Sequence, residues 1–179
     1  MEFKEFPKIP RLSRAVVITE KIDGTNGQIL ITEDGQFFVG SRTRWITPEN
    51  DNYGFAKWAY ENKEELMKLG PGSHFGEWWG QGIQRNYGLK EKRFSLFNTS
   101  RWNNAEDRPK CCGVVPILKE GIFDTCDITE VLRVLKENGS VAAPGFMKPE
   151  GVVIYLSAAR IYMKKTIEKD EEPKGFMKS

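Results

Sequence analysis

Two runs rich in β-branched and aliphatic residues, 16–20 (Val-Val-Ile-Thr-Glu) and 27–33 (Gly-Gln-Ile-Leu-Ile-Thr-Glu), flank the segment Lys21-Ile22-Asp23-Gly24-Thr25-Asn26. Such runs read as strands. Asp-Gly between them is the strongest short-range signal for a hairpin. The pattern therefore predicts strand, tight turn and strand, a unit that gains stability only by joining a larger sheet. It also sets Lys21 just before the turn, where its side chain can point into a cleft. A lysine that acts as a nucleophile must shed its proton, and burial and neighbouring cations promote that.

A second hairpin is predicted at Asp34-Gly35, leading into 36–39. Residues 54–69 carry Phe55, Trp58, Ala59, Leu66 and Leu69 near one helical face, and Pro71-Gly72 ends them. Strands are predicted at 74–79, 93–97, 113–118, 151–156 and 161–163, with a polar surface loop over 99–110. Asp127-Ile128-Thr129-Glu130 resembles a capping box, and the helix it opens runs to a natural C-cap at Gly139. Hairpin-linked strands with helices among them argue for an α+β chain with antiparallel sheet. The 179 residues suffice for one sizeable domain, read as 1–167 with a charged C-terminal tail over 168–179.

Composition narrows the function classes. No apolar run is long enough to span a membrane, and the first residues, Met1-Glu2-Phe3-Lys4-Glu5, lack the apolar stretch of a signal peptide. A cytoplasmic location is the default expectation. The three cysteines, Cys111, Cys112 and Cys126, form no Cys-x-x-Cys pair, and His74 is the one histidine. That argues against a structural zinc site and leaves His74 as the sole base for Ser-His or Cys-His catalysis. A net charge of +2 does not announce a nucleic-acid binder, although a local basic groove suffices to hold phosphates.

Five further segments carry chemistry. Ser41-Arg42-Thr43 offers a guanidinium, whose fork matches phosphate oxygens. Phe75-Gly76-Glu77 runs into Trp78-Trp79-Gly80-Gln81-Gly82-Ile83-Gln84; its carboxylate can accept from sugar hydroxyls, and its glycines form no Walker loop because no Gly-Lys-Ser/Thr follows. Arg93-Phe94-Ser95-Leu96-Phe97-Asn98 offers flat aromatics suited to a purine face. Pro149-Glu150-Gly151-Val152-Val153-Ile154 offers a carboxylate for Mg²⁺, which favours one or two carboxylates plus substrate phosphates. Ile161-Tyr162-Met163-Lys164-Lys165 offers two adjacent lysines, and neighbours on a strand point to opposite faces. Taken singly, each segment also reads as plain structure: a strand-end arginine, a glycine-rich strand, a core phenylalanine, a turn into a buried strand, a charged exit strand.

Together with Lys-x-Asp-Gly-x-Asn at 21–26, these segments resemble, in order, the motifs of phage-type ATP-dependent RNA ligases. Those enzymes belong to the covalent nucleotidyltransferase superfamily of DNA and RNA ligases and capping enzymes. The resemblance extends from residue 20 to residue 165. It implies an antiparallel two-sheet nucleotidyltransferase (ATP-grasp-like) domain with peripheral helices and ATP between the sheets. It implies that Lys21 takes AMP covalently, and that Glu20, Asn26, Arg42, Glu77, Phe97, Val152, Lys164 and Lys165 bind nucleotide. Glu77 would contact the ribose, Phe97 would stack on adenine, Val152 would pack under the base, and Lys164, favoured over Lys165, would neutralise the α-phosphate. Glu150 would help place Mg²⁺ or Mn²⁺. The implied partners are ATP, RNA strand ends (possibly DNA) and an accessory domain or protein. The chain departs from the pattern at Asn98, where an aspartate is usual, and in the adjacency of its two lysines. A capping-type guanylyltransferase and a catalytically silent nucleotide- or RNA-binding module are the alternatives.

Overall fold

A computed structural model describes residues 1–170 of the protein. Among them, strands form two sheets. The four-stranded sheet contains β1 (Ala15–Lys21), β7 (Ile117–Ile122), β8 (Gly151–Leu156) and β9 (Ile161–Thr166), in the order β7-β1-β8-β9 and antiparallel throughout. The five-stranded sheet contains β2 (Thr25–Ile31), β3 (Phe37–Gly40), β4 (Gly72–Gly80), β5 (Lys92–Leu96) and β6 (Cys112–Val114), in the order β3-β2-β4-β5-β6. Only its β5–β6 pair is parallel. The chain is thus α+β with two predominantly antiparallel sheets, as the strand pattern suggests.

The hairpin expected at Asp23-Gly24 does not form. β1 and β2 do not pair; they lie in different sheets, and Ile22–Gly24 carries the chain from one to the other. The Asp-Gly signal marks a sharp change of direction, and here tertiary pairing decides where the strands go. β2 pairs with β4 over Thr25–Ile31, while β1 is flanked on both sides by β7 and β8. Asp34-Gly35 does make a true hairpin between β2 and β3, with Gly35 at φ 82°. The single strand expected over 113–118 is likewise two strands in two sheets, split at Val115-Pro116. Proline has no N–H for a ladder, but its carbonyl accepts from the Glu20 N–H at 2.9 Å. The two crossings therefore meet.

The helix expected over 54–69 is segmented into α1 (Phe55–Glu61), α2 (Lys63–Leu66) and a 3₁₀ turn (Met67–Leu69). The break is at Asn62, whose side-chain amide donates to the Trp58 carbonyl at 2.8 Å, a local bond of the kind that competes with helix continuation. The buried face is still the expected one: Phe55, Ala59, Leu66 and Leu69 pack with Ile29, Trp78 and Phe94 on one face of the five-stranded sheet. Within the loop expected over 99–110, Asn98 caps a short helix, α3 (Thr99–Trp102), that buries Trp102 in the same cluster. The last helix, α4 (Ile128–Asn138), is capped by Asp127, whose carboxylate accepts the Glu130 N–H at 3.0 Å. The reciprocal half of the capping box is replaced by an ion pair from Glu130 to Arg133. Ile128, Val131, Leu132 and Leu135 of α4 pack on Val16, Ile18, Val152 and Ile154, covering one face of the four-stranded sheet. Of the tail read over 168–179, residues 171–179 lie outside the described residues.

Gly151 opens β8 between Lys21 and Thr166 of its neighbours. A Cβ there would lie 2.2 Å from the Lys165 carbonyl oxygen and 2.7 Å from the Thr166 Cα. Backbone cannot yield cheaply to such an overlap, so Gly151→Ala should lower the unfolding free energy by ~2 kcal/mol or more. A urea midpoint unchanged by that substitution would contradict the tight β1–β8–β9 packing.

Candidate active site

The crossing at Ile22–Gly24 brings residues from both sheets together. Lys21 is the last residue of β1 and Glu150 immediately precedes β8; Lys21 pairs with Gly151 in the ladder. The register places the two side chains in reach, and the Lys21 ammonium donates to Glu150 Oε2 at 2.6 Å. Both side chains are largely buried, at 19% and 14% exposure.

Glu77 comes from the middle of the other sheet. It is opposite Asn26 on β2 and Ser95 on β5, so all three share one face. Glu77 Oε1 accepts the Gly24 N–H at 2.9 Å and Oε2 accepts from the Asn26 amide at 3.2 Å. The first bond exists because residue 24 is glycine: a Cβ there would sit 2.4 Å from the Trp78 carbonyl oxygen and 2.7 Å from Trp79 Cβ. Burial pushes the Glu77 carboxyl up to about 7, partly opposed by the Gly24 N–H and the Lys21 charge, with Glu150 and Asp23 adding to the rise.

Phe97 follows β5 by one residue, and its N–H donates to the Phe75 carbonyl at 2.9 Å. It lies two positions beyond Ser95 and so shares the Glu77 face. There it is half-buried against Ile22, Trp79, Tyr87, Val115 and Ala143, the cluster under the crossing. Lys21, Asn26, Glu77, Phe97 and Glu150 thus come together on the inner side of the crossing.

Of the other residues singled out in the sequence, Lys164 shares the Lys21 face and the rest lie outside this constellation. Glu20 is 1% exposed and turns away from Lys21; its carboxylate accepts from Ser140 Oγ at 2.5 Å and from the Val141 and Ala142 N–H groups, each at 2.8 Å. Those three donors are what permit a carboxylate to be buried there, and they tie the loop after α4 to β1. Val152 is fully buried under α4, on the face opposite Lys21, and Val153 takes the Lys21 side. Lys164 pairs with Val153, and so shares the face of Thr19 and Lys21; Lys165 pairs with Val152 on the α4 side, where its ammonium lies 3.8 Å from Asp170. Strand alternation thus favours Lys164 as the lysine on the Lys21 side. Arg42 is exposed in the turn after β3 and makes no hydrogen bond or ion pair among the described residues. Asn98 accepts from the Arg101 N–H and Ser100 Oγ at the start of α3, a task asparagine and aspartate perform equally well. His74 bonds the Gly70 carbonyl at 2.8 Å on the core face, remote from this constellation.

Two residues not singled out in the sequence buttress the crossing. Tyr87 Oη accepts the Asp23 N–H at 2.8 Å, and Arg85 Nε donates to Asp23 at 3.0 Å while also reaching the Lys148 carbonyl at 3.1 Å. Both lie in the loop after Gly80, where Gln84, Asn86 and Tyr87 all have positive φ. Sequence offers no periodic signal for such a loop; only Ile83, Tyr87 and Leu89, apolar or aromatic among polar neighbours, hint at an inward turn.

The model of the family described as RNA ligase matches residues 14–169. The chain belongs to the RNA ligase family. No curated protein matches it at a significant level. Among solved structures, it is similar to a mutant of Naegleria gruberi RNA ligase with ATP and Mn, at 22% identity and TM-score 0.65, over 86% of this chain and 49% of that one. It is similar to another mutant of that enzyme with AMP and Mn, at 22% identity and TM-score 0.65, over 87% and 50%. At this identity the likeness establishes the fold, and the chain spans about half the length of those structures.

Among the described residues, no group of three or more His, Cys, Asp or Glu side chains is arranged to hold a metal ion. Glu150 is a single carboxylate beside Lys21. That donor set fits Mg²⁺ or Mn²⁺ held jointly by one carboxylate and substrate phosphates, and does not fit a closed metal cage.

The raised Glu77 carboxyl has a consequence for stability. Its proton is bound more tightly in the folded state, so its contribution to stability is greatest below its ordinary value of 4.5 and is lost as pH rises to about 7. Glu77→Gln removes that loss. The unfolding free energy of the variant, read from urea denaturation, should gain on that of the unaltered protein as pH rises through this window, by up to about 1.4 kcal/mol per pH unit. A difference independent of pH between 4.5 and 7 would show that Glu77 does not titrate there.

Proposed function

We propose that the chain is the nucleotidyltransferase domain of an ATP-dependent RNA ligase, with Lys21 as the residue that takes AMP. The observation that carries this reading is the Lys21–Glu150 pair at 2.6 Å, close enough to Glu77 for their charges to interact, with Asn26 bonded to Glu77, in a chain of the RNA ligase family. Neighbours of the same fold bound to ATP or AMP with Mn support the choice of nucleotide and metal.

Lys21 Nζ starts in contact with Glu150. Once a proton has passed from Nζ to water, the nitrogen attacks the α-phosphorus of ATP. The N–P bond forms, the bond to the β-phosphate oxygen breaks, and pyrophosphate leaves with its electron pair. An oxygen of an RNA 5′-phosphate next attacks the phosphorus of the lysyl-AMP; the N–P bond breaks as its nitrogen takes a proton from water, and Lys21 recovers its amine. A 3′-hydroxyl then attacks the activated 5′-phosphorus, loses its proton, and AMP departs. In each step the protein chiefly positions groups and offsets charge. Glu77 and Asn26 accept from and donate to the ribose, Phe97 stacks on the base, and Lys164 and Arg42 approach the phosphates. A divalent cation held by Glu150 and the phosphates would neutralise the charge that develops on the oxygens. An accessory region or protein that helps to grip the strands, and a cytoplasmic site of action, belong to the same reading. Among the described residues, no helix is long and apolar enough to cross a membrane.

Incubation with Mg²⁺ and ATP, read by intact-protein mass, should show the gain of one AMP, and Lys21→Ala should abolish it. Labelling retained in that variant would remove Lys21 from its role, whereas labelling by GTP alone would move the protein to the capping class. Phe97→Ala should keep covalent labelling but raise the ATP concentration for half-maximal labelling roughly tenfold, the order of one lost aromatic stack on a base. An unchanged requirement would exclude stacking by Phe97.

A further inference from the structure

The face of the four-stranded sheet that bears Lys21 continues beyond the cleft in rows set by strand register. Lys21 lies beside Gly151 and Thr166, Thr19 beside Val153 and Lys164, and Val17 beside Tyr155 and Tyr162. Partners across an antiparallel ladder project to the same side, and residues two apart on one strand do so as well. At about 3.3 Å per residue, the Lys164 row lies ~7 Å from Lys21 and the tyrosine row ~13 Å.

The tyrosine row is unusual for an open sheet face. The Tyr155 and Tyr162 ring centroids are 4.7 Å apart, with 35° between the planes. Tyr162 is 63% exposed on β9, an edge strand of the sheet. Val17, Val153 and Tyr155 beside it are only half-buried, whereas the opposite face carries α4. The nucleotide site uses neither tyrosine. Charge on this face is also uneven: Glu120 flanks Val17 on the β7 side, while Lys164 stands on the β9 side. A polyanion leaving Lys21 is therefore favoured along β8 and β9, past Lys164 and onto the two rings.

We propose that Tyr155 and Tyr162 form a base-stacking platform for the RNA strand whose end is held at Lys21. The inference rests on the reading of this chain as an RNA ligase domain and adds to it a contact for the strand away from the reacting phosphate. Aromatic rings beside a basic side chain are how proteins commonly hold single strands, and stacking tolerates any base because every base has a π-face. The platform would thus grip the strand without reading its sequence, while Lys164 contributes the salt-dependent part of binding.

The test uses a short 5′-phosphorylated RNA oligonucleotide with a fluorescent end label, titrated with the full chain and followed by anisotropy. Tyr162→Leu, which keeps an apolar side chain but removes the ring, should weaken binding roughly tenfold, within the range of one base–aromatic stack. Tyr162→Trp should retain the affinity. The slope of log affinity against log salt should be the same in all three proteins, because no phosphate contact is lost. AMP labelling by ATP alone should be unchanged in both variants, which also reports an intact fold. Equal affinity of Tyr162→Leu and the unaltered protein, an equal loss in Tyr162→Trp, or no measurable binding of the oligonucleotide would overturn the platform. Failure of the unaltered protein to take AMP would instead overturn the ligase reading, and the anisotropy comparison would stand apart from it.

Discussion

Everything at the site depends on the passage of the chain between two sheets at Ile22–Gly24. The passage is tight because Gly24 runs against the Trp78 backbone, closer than any side chain would allow. It is held from beneath by Ile22, Trp79, Tyr87, Val115 and Ala143. Its polar groups are satisfied by Glu77, Tyr87 and Arg85. The second crossing at Val115-Pro116 lies against the first, since the Pro116 carbonyl bonds the Glu20 N–H and Val115 joins the same cluster. A lysine at the end of β1 and a carboxylate in the middle of β4 would otherwise belong to separate surfaces.

Burial of charge is what makes this junction specific. Glu20, Glu77 and the Lys21–Glu150 pair are each withdrawn from water, and each is compensated differently. Glu20 is anchored by one hydroxyl and two backbone N–H groups, which fixes the loop after α4. Glu77 has the crossing backbone and the Asn26 amide as its donors, and burial still raises its proton affinity. Lys21 and Glu150 compensate one another. Among the described residues, no buried side-chain nitrogen or oxygen lacks a partner, so the buried polar groups of the junction are satisfied as folded. On the proposed ligase reading, a nucleotide beside Lys21 would exchange the Lys21–Glu150 and Glu77 bonds for its own.

Several elements were legible in the sequence for identifiable reasons. β-branched runs located β1 and β2 by their composition, and the Asp34-Gly35 turn located β3, because the β2–β3 pairing is signalled locally. The cap at Asp127 and the stop at Gly139 bounded α4. What escaped the sequence involved choices between local and distant partners. Asp23-Gly24 carries the same turn signal as Asp34-Gly35, yet it joins strands in different sheets, because β1 finds its neighbours in β7 and β8. Asn62 breaks a helix whose apolar face is continuous, since its amide bonds backwards. Trp102 pulls a polar loop into the core.

For this protein, sequence alone determined the residue types and their order: the lysine before Asp-Gly, the carboxylates at 77 and 150, the aromatic at 97 and the lysines near the end. Chemistry is carried by functional groups, and these can be read from the sequence one position at a time. Only the tertiary structure decided which groups meet. Strand register turned Lys164 toward Lys21 and Lys165 away, put Val153 on the site face and Val152 under α4, and withdrew Glu20 into a loop anchor. Those outcomes follow from the two-residue period of a strand, in which a shift of one position exchanges faces; the β8–β9 register is local, but the β1–β8 register that relates both to Lys21 joins residues distant in the chain.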